Sequence, residues 1–240
     1  MGHEHVQRYG SDALAFRAMR DRRPERSSYL LDTYDTLGQG LPAAYELMLE
    51  EPKHGDSIRF DSGDKLAQLR VADAKARTLN LEPIYVIEDG LNLERTRALE
   101  ALRHELKIPP ERLFYGYGGE LVSCPSQHKL TRDRVGAIWK LCETAKTPTM
   151  KFANSPGKQS LPGHPVIWRR VGGSGPIGIV AQNGETPPAG YVRLTGEALE
   201  VAALDRAGVV EHSAETKALE ASLTAKHFPP YRGPGHLHSA

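Results

Sequence analysis

Two periods of hydrophobic spacing alternate along the first half of the chain. Four short apolar runs recur at "SSYLLD" (27–32), "DSIRFD" (56–61), "EPIYVIED" (82–89) and "ERLFYGYGG" (111–119). In the second run Ile58 and Phe60 fall on one face and Ser57 and Arg59 on the other, the period of a strand. Between the runs the spacing becomes helical. Leu41, Ala44, Leu47 and Met48 form one such set, followed by Leu66, Leu69, Ala72 and Ala76, and then Leu93, Leu99, Leu102 and Leu106. A further helix is predicted over about 11 to 23. Strand and helix alternating at this distance predict βα units and a parallel sheet. Right-handed crossovers then bring the C-terminal ends of the strands to one edge.

Past about residue 134 the pattern changes. "VGAIWKLCET" (135–144) predicts a strand, and "KTPTMKFANSPGKQSLPGHP" (146–165) is rich in Pro, Gly and Lys. "VIWRRVGGSGPIGIVAQNG" (166–184) predicts a hairpin or meander with glycine turns. "SAETKALEASLTAKHF" (213–228) predicts a late helix, and a Pro/Gly-rich tail ends in "GPGHLHSA". There is no internal repeat and no low-complexity tract. The fold class is thus α/β with a small β-rich C-terminal appendage, divided as residues 1–150 and 151–240.

Composition narrows the function. With 240 residues, 39% of them hydrophobic, the chain can bury a substantial core. A formal net charge of +1 argues against a dedicated nucleic-acid binder. No apolar run reaches bilayer length, and no charged segment followed by an apolar one opens the chain as a secretion signal. Cys124 and Cys142 are too few for a disulfide scaffold and suit reduced thiols in a cytoplasmic protein.

The strand ends carry the chemistry. They read "LLDTYD", "FDSGD", "IEDGLN" and "YGYGG", each closing in acidic residues, glycines or both. Parallel barrels and open α/β sheets bind substrates at this edge. Any one of these ends alone reads as a helix cap or a turn. Four together point to a site. Asp32, Asp35, Asp61, Asp64 and Asp89 suit Mg²⁺, ribose hydroxyls or a developing cation. Arg59 suits an ion pair or stacking on a flat ring. Gly116, Gly118 and Gly119 suit a phosphate cradle of bare backbone N–H groups. Lys129, Arg132, Lys140, Lys151 and Lys158 follow, as expected for a substrate with several phosphates, although lysines commonly just form a solvated face. "GHEH" (2–5) lacks the spacing of a metal motif, and on a strand His3 and His5 point to opposite faces. A histidine at this edge suits a nucleophile toward phosphate.

Taken in order, "GHEHVQ", "LLDTYDT", "IRFDSGD", "IEDGLN", "YGYGGELVSCP" and "IWKLCETAKTPTMKFANSPGKQSLPG" resemble the C-terminal half of the nicotinate phosphoribosyltransferase family. The nicotinamide phosphoribosyltransferases share the pattern. The resemblance runs from about residue 1 to 170. It implies a partial, irregular TIM-like barrel and transfer of phosphoribosyl from phosphoribosyl pyrophosphate to nicotinate, coupled to ATP hydrolysis. Mg²⁺ would accompany the pyrophosphate and ATP, and no protein ligand for a metal is assigned.

The implied roles follow residue by residue. His3 is the phosphorylated histidine, and Arg59 stacks on the pyridine or adenine ring. Asp61 and Asp89 contact the ribose, with Gly90 beside them, while Asp32 and Asp64 support that network and the metal-bound pyrophosphate. Gly118 and Gly119 cradle the 5′-phosphate. Arg132 and Lys140 bind phosphates, with a dimer interface as one setting, and Lys151 and Lys158 also bind substrate. The family's N-terminal half has no counterpart here. The chain is therefore expected to be an incomplete half, either self-associating or completed by a partner chain. A nicotinamide-specific relative and a non-catalytic nucleotide-binding module are the alternatives.

Overall fold

Four parallel strands stand side by side in chain order: β1 (Ser28–Leu30), β2 (Ser57–Phe60), β3 (Ile84–Glu88) and β4 (Leu113–Gly116). The register pairs Ser28 with Ser57, Ser57 with Ile84, and Tyr85 with Leu113. These strands belong to a computed structural model that describes residues 1–50, 55–119, 140–152, 159–194 and 210–227. Within it the chain divides into two compact units. One comprises the described residues of Met1–Lys140 and Lys151–Gln159, the other those of Leu141–Met150 and Ser160–Arg232.

Helices connect the strands of the first unit as the hydrophobic spacing predicts. α2 (Asp12–Arg22) precedes β1, α3 (Leu41–Glu50) follows it, and α4 (Lys65–Thr78) and α5 (Leu93–Glu105) follow β2 and β3. Their starts are fixed by side-chain caps, each satisfying backbone donors that the first turn leaves open. Ser11 accepts from Leu14 N, Asp64 from Leu66 N and Ala67 N, and Asn92 from Arg95 N. α3 is entered through a π-helical turn over Thr36–Gly40, whose N-cap Asp35 accepts from Gly38 N. A Cβ on Gly40 would overlap the Leu31 carbonyl, so only glycine lets this turn lie against the end of β1.

The core lies between sheet and helices. Tyr29, Ile58, Phe60, Tyr85 and Ile87 of the strands are fully buried, as are Phe16, Ala44, Leu69 and Ala72 of the helices. Phe16 meets Tyr29 with ring centroids 5.0 Å apart. Tyr45 donates its hydroxyl to the Ala72 carbonyl, and Tyr85 donates to Asp73. At the N-terminal edge of the sheet Arg20 and Asp56 form a buried ion pair, which Tyr29 Oη and Ser27 N join by donating to the Asp56 carboxylate.

One expectation is corrected here. Residues 3–9 form a short helix, α1, ended by Gly10, so His3 and His5 lie on a helix and not on a strand. They still diverge, because two residues of helix turn through about 200°. His5 donates to the Ala15 carbonyl, away from His3.

The second unit is β-rich. The predicted hairpin is present as β7 (Pro165–Arg170) antiparallel to β8 (Gly178–Gln182). β9 (Tyr191–Arg193) flanks β7, and β10 (Val210–His212) runs parallel to β8. A helix over Ala214–His227 packs on β8, with Thr216 and Leu223 buried. Of the predicted strand at 135–144, the described part supplies only Glu143–Thr144 (β5), paired with Thr147–Pro148 (β6). Among the described residues no helix is long and apolar enough to cross a membrane.

Candidate active site

The C-terminal ends of β1 and β2 bring four polar residues, Asp32, Thr33, Asp61 and Ser62, around one imidazole. His3, on α1, lies with Nδ1 3.1 Å from Thr33 Oγ1 and Nε2 3.3 Å from Asp61 Oδ2. Asp32 Oδ1 is 3.7 Å from the same Nε2. Lys151 arrives from a segment remote in sequence and sets its ammonium 2.6 Å from His3 Nε2, 3.3 Å from Asp32 Oδ2 and 3.6 Å from Asp61 Oδ2. Ser62 Oγ donates to Asp32 Oδ2 at 2.5 Å, and Gln68 Nε2 holds the Ser62 carbonyl at 2.9 Å.

Burial divides these groups. Asp32 and Thr33 are 0% exposed and the Lys151 side chain is 1% exposed, whereas the Asp61 side chain keeps 26% of its surface. Asp32 therefore acts through Ser62 and Lys151, while Asp61 and His3 can meet a ligand. The turn between Asp61 and Asp64 depends on Gly63, whose φ of 82° lies in the left-handed region that side chains disfavour. That geometry explains why the second strand ends in "DSGD".

His3, Asp32 and Asp61 each offer one donor atom, all within 4.8 Å of one another, a set that could hold a metal. The donor chemistry does not fit a resident ion, because the Lys151 ammonium is close to all three atoms. A divalent cation there would have to displace a buried positive charge.

The other residues singled out in the sequence fall around this cluster. Arg59 pairs with Glu88 Oε2 at 2.5 Å and donates to the Met1 carbonyl at 2.7 Å. Asp64 caps α4. Asp89 and Gly90 both have left-handed backbones, with φ of 63° and 64°, and turn the chain out of β3. Asp89 is exposed. A cavity of about 390 Å³ opens beside them, lined by Ser62, Gly63, Asp64, Lys65, Asp89 and Arg95 on its polar side. Gly118 follows β4 with open space where a side chain would project, and Gly119 ends that described stretch. Lys140 is exposed. Arg132 and Lys158 lie outside the described residues.

Thr33, Ser62, Gln68 and Glu88 were not assigned roles from sequence. Only the adjacency of Thr33, Ser62 and Glu88 to Asp32, Asp61 and Asp89 hinted at them, and no sequence signal pointed to Gln68. Asp12, at the start of α2, was missed outright. It is 3% exposed, and neither carboxylate oxygen has a hydrogen-bond partner among the described residues. Burial, with the nearby Asp32 and Asp35, pushes its pKa up to about 8. Burial and then Asp12 raise the Tyr34 phenol as well.

No protein-family model matches the chain. Individual proteins do. The nicotinate phosphoribosyltransferase of Bos taurus is 32% identical over 189 residues, 73% of this chain and 32% of the relative. That of Homo sapiens is 32% identical over 186 residues, 73% of this chain and 31% of the relative. That of Bacillus subtilis (strain 168) is 30% identical over 179 residues, 70% and 34% respectively. The chain spans about a third of the length of these curated relatives.

Proposed function

This chain belongs to the nicotinate phosphoribosyltransferase family, and from that premise we propose that it carries the phosphorylatable histidine and the ribose-phosphate side of such an enzyme. In the reaction the pyridine nitrogen of nicotinate bonds to the anomeric carbon of phosphoribosyl pyrophosphate, and the bond to pyrophosphate breaks. ATP transfers its terminal phosphoryl group to His3, releasing ADP, and hydrolysis of that phosphohistidine drives turnover.

The observation that supports this most is the His3 cluster itself. A surface-accessible imidazole backed by Asp61, Thr33 and Lys151 suits a phosphoryl acceptor. The neighbouring cavity suits the sugar phosphate. Asp89 lines that cavity and Asp61 directly precedes its lining residue Ser62; carboxylates beside a ribose that becomes oxocarbenium-like lower the energy of the developing positive charge. Gly118 and Gly119 serve the 5′-phosphate, Arg59 the flat ring, and Lys140 with Arg132 and Lys158 the polyphosphates. Mg²⁺ travels with pyrophosphate and ATP.

The chain-order parallel sheet suits one arc of a TIM-like barrel. Catalysis then requires the further strands and the base-binding residues of a longer polypeptide or a partner. The test is labelling with γ-³²P-ATP. An acid-labile, base-stable label that disappears in His3→Ala is expected. Label that persists in the variant would move the acceptor elsewhere.

A further inference from the structure

We propose that Lys151 is the positioning residue of His3, its ammonium fixing the neutral imidazole tautomer that carries the proton on Nδ1. The argument starts from what each group can donate. An ammonium has three hydrogens and no acceptor site. At 2.6 Å from Nε2 it must donate, so Nε2 presents its lone pair and bears no hydrogen. The single imidazole proton then sits on Nδ1, where Thr33 Oγ1 accepts it at 3.1 Å. Thr33 is itself held by the residue after Lys151, since Phe152 N donates to the Thr33 carbonyl at 3.0 Å. One short segment therefore fixes both sides of the ring.

The reverse assignment, a neutral amine accepting from Nε2–H, fails on charge. Lys151 lies 3.3 Å from Asp32, a fully buried carboxylate, and 3.6 Å from Asp61. A neutral amine would leave both carboxylates without their cation in a low-dielectric setting.

The arrangement has a chemical consequence. With the ammonium removed, Nε2 would face Asp61 at 3.3 Å and Asp32 at 3.7 Å. A hydrogen on Nε2 would then find two carboxylate acceptors, and Nε2 would present no lone pair. Lys151 thus holds the place that a hydrogen on Nε2 would take. Its value for phosphoryl transfer rests on the function proposed above, whereas the tautomer stands on geometry alone.

The experiment is ¹⁵N–¹H long-range correlation NMR at pH 7 on the full chain, labelled at its ten histidines. The His3 signals are identified by their loss in His3→Gln. The wild type is expected to show hydrogen on Nδ1 and a bare Nε2, and Lys151→Met to show hydrogen on Nε2. A wild-type His3 with hydrogen on Nε2, or a Lys151→Met spectrum unchanged from wild type, overturns the proposal. The wild-type spectrum decides the tautomer even where Lys151→Met does not fold. Absence of a ³²P label from the wild type, together with an Nδ1–H tautomer, would sink the phosphoacceptor reading and leave this one standing.

Discussion

Asp12 illustrates how one residue can work against the fold that holds it. As the first residue of α2 its charge is favoured by the helix dipole, an effect of about 0.3–1 kcal/mol. Burying an unpaired carboxylate costs several kcal/mol, so burial wins and the group keeps its proton. Its pKa is about 8 in the folded chain, against about 3.9 in an unfolded one. The folded state thus binds the extra proton between those values, and stability falls as pH rises through that window. Thermal melting of the wild type should decline steadily from pH 5 to pH 8. Asp12→Asn should flatten that slope and melt higher than wild type at pH 8. Parallel slopes in the two proteins would show that Asp12 titrates normally.

At the scale of elements, the two edges of the sheet do different work. The N-terminal edge is structural. There Arg20 and Asp56 are 4% and 3% exposed and share Tyr29 and Ser27 as partners. Removing one member leaves a buried charge, so Asp56→Ala should lose about 3–5 kcal/mol by urea unfolding. Arg20→Met combined with Asp56→Leu should recover most of it. The C-terminal edge is where the turns are specialised. Asp64→Ala removes the α4 cap and should cost about 1 kcal/mol. Gly63→Ala forces a side chain into the left-handed region, at about 1–2 kcal/mol. Since Gly63 also sets the angle between Asp61 and Asp64, this variant should weaken phosphoribosyl pyrophosphate binding in calorimetry more than Asp64→Ala does. Equal affinity in both would separate the turn from binding.

At the scale of the molecule, the described strands of the first unit form a sheet with two edges. Among the described residues β1 pairs only with β2, and β4 only with β3. Phe114, on β4, is 49% exposed. Unpaired backbone and an apolar side chain on one strand favour pairing with another chain. The isolated chain should therefore elute as an assembly in light-scattering chromatography and form no mononucleotide from nicotinate, phosphoribosyl pyrophosphate, Mg²⁺ and ATP. A monomer with turnover would mean that these residues close a complete site unaided.

The sequence by itself determined the local architecture. Period-2 runs became β1 to β4 and helical spacing became α2 to α5, because each element must bury its own apolar face. It also placed Asp32, Asp61 and Asp89 at strand ends, since strand direction in a βα repeat fixes which end carries the turn. The π-helical entry to α3 and the short helix holding His3 were not legible. The first depends on close packing of Gly40 against Leu31, and the second is too short for periodicity to register. Tertiary structure alone decided which polar residues meet. Lys151 read as one of several substrate-binding basic residues, yet it is buried against His3, 148 positions away. Asp12 looked like an ordinary helix start, yet it is enclosed beside Asp32 and Asp35. Spacing along the chain reports which way a side chain faces within its own element. Which charge lies opposite it, and whether water reaches both, is set only when the elements pack.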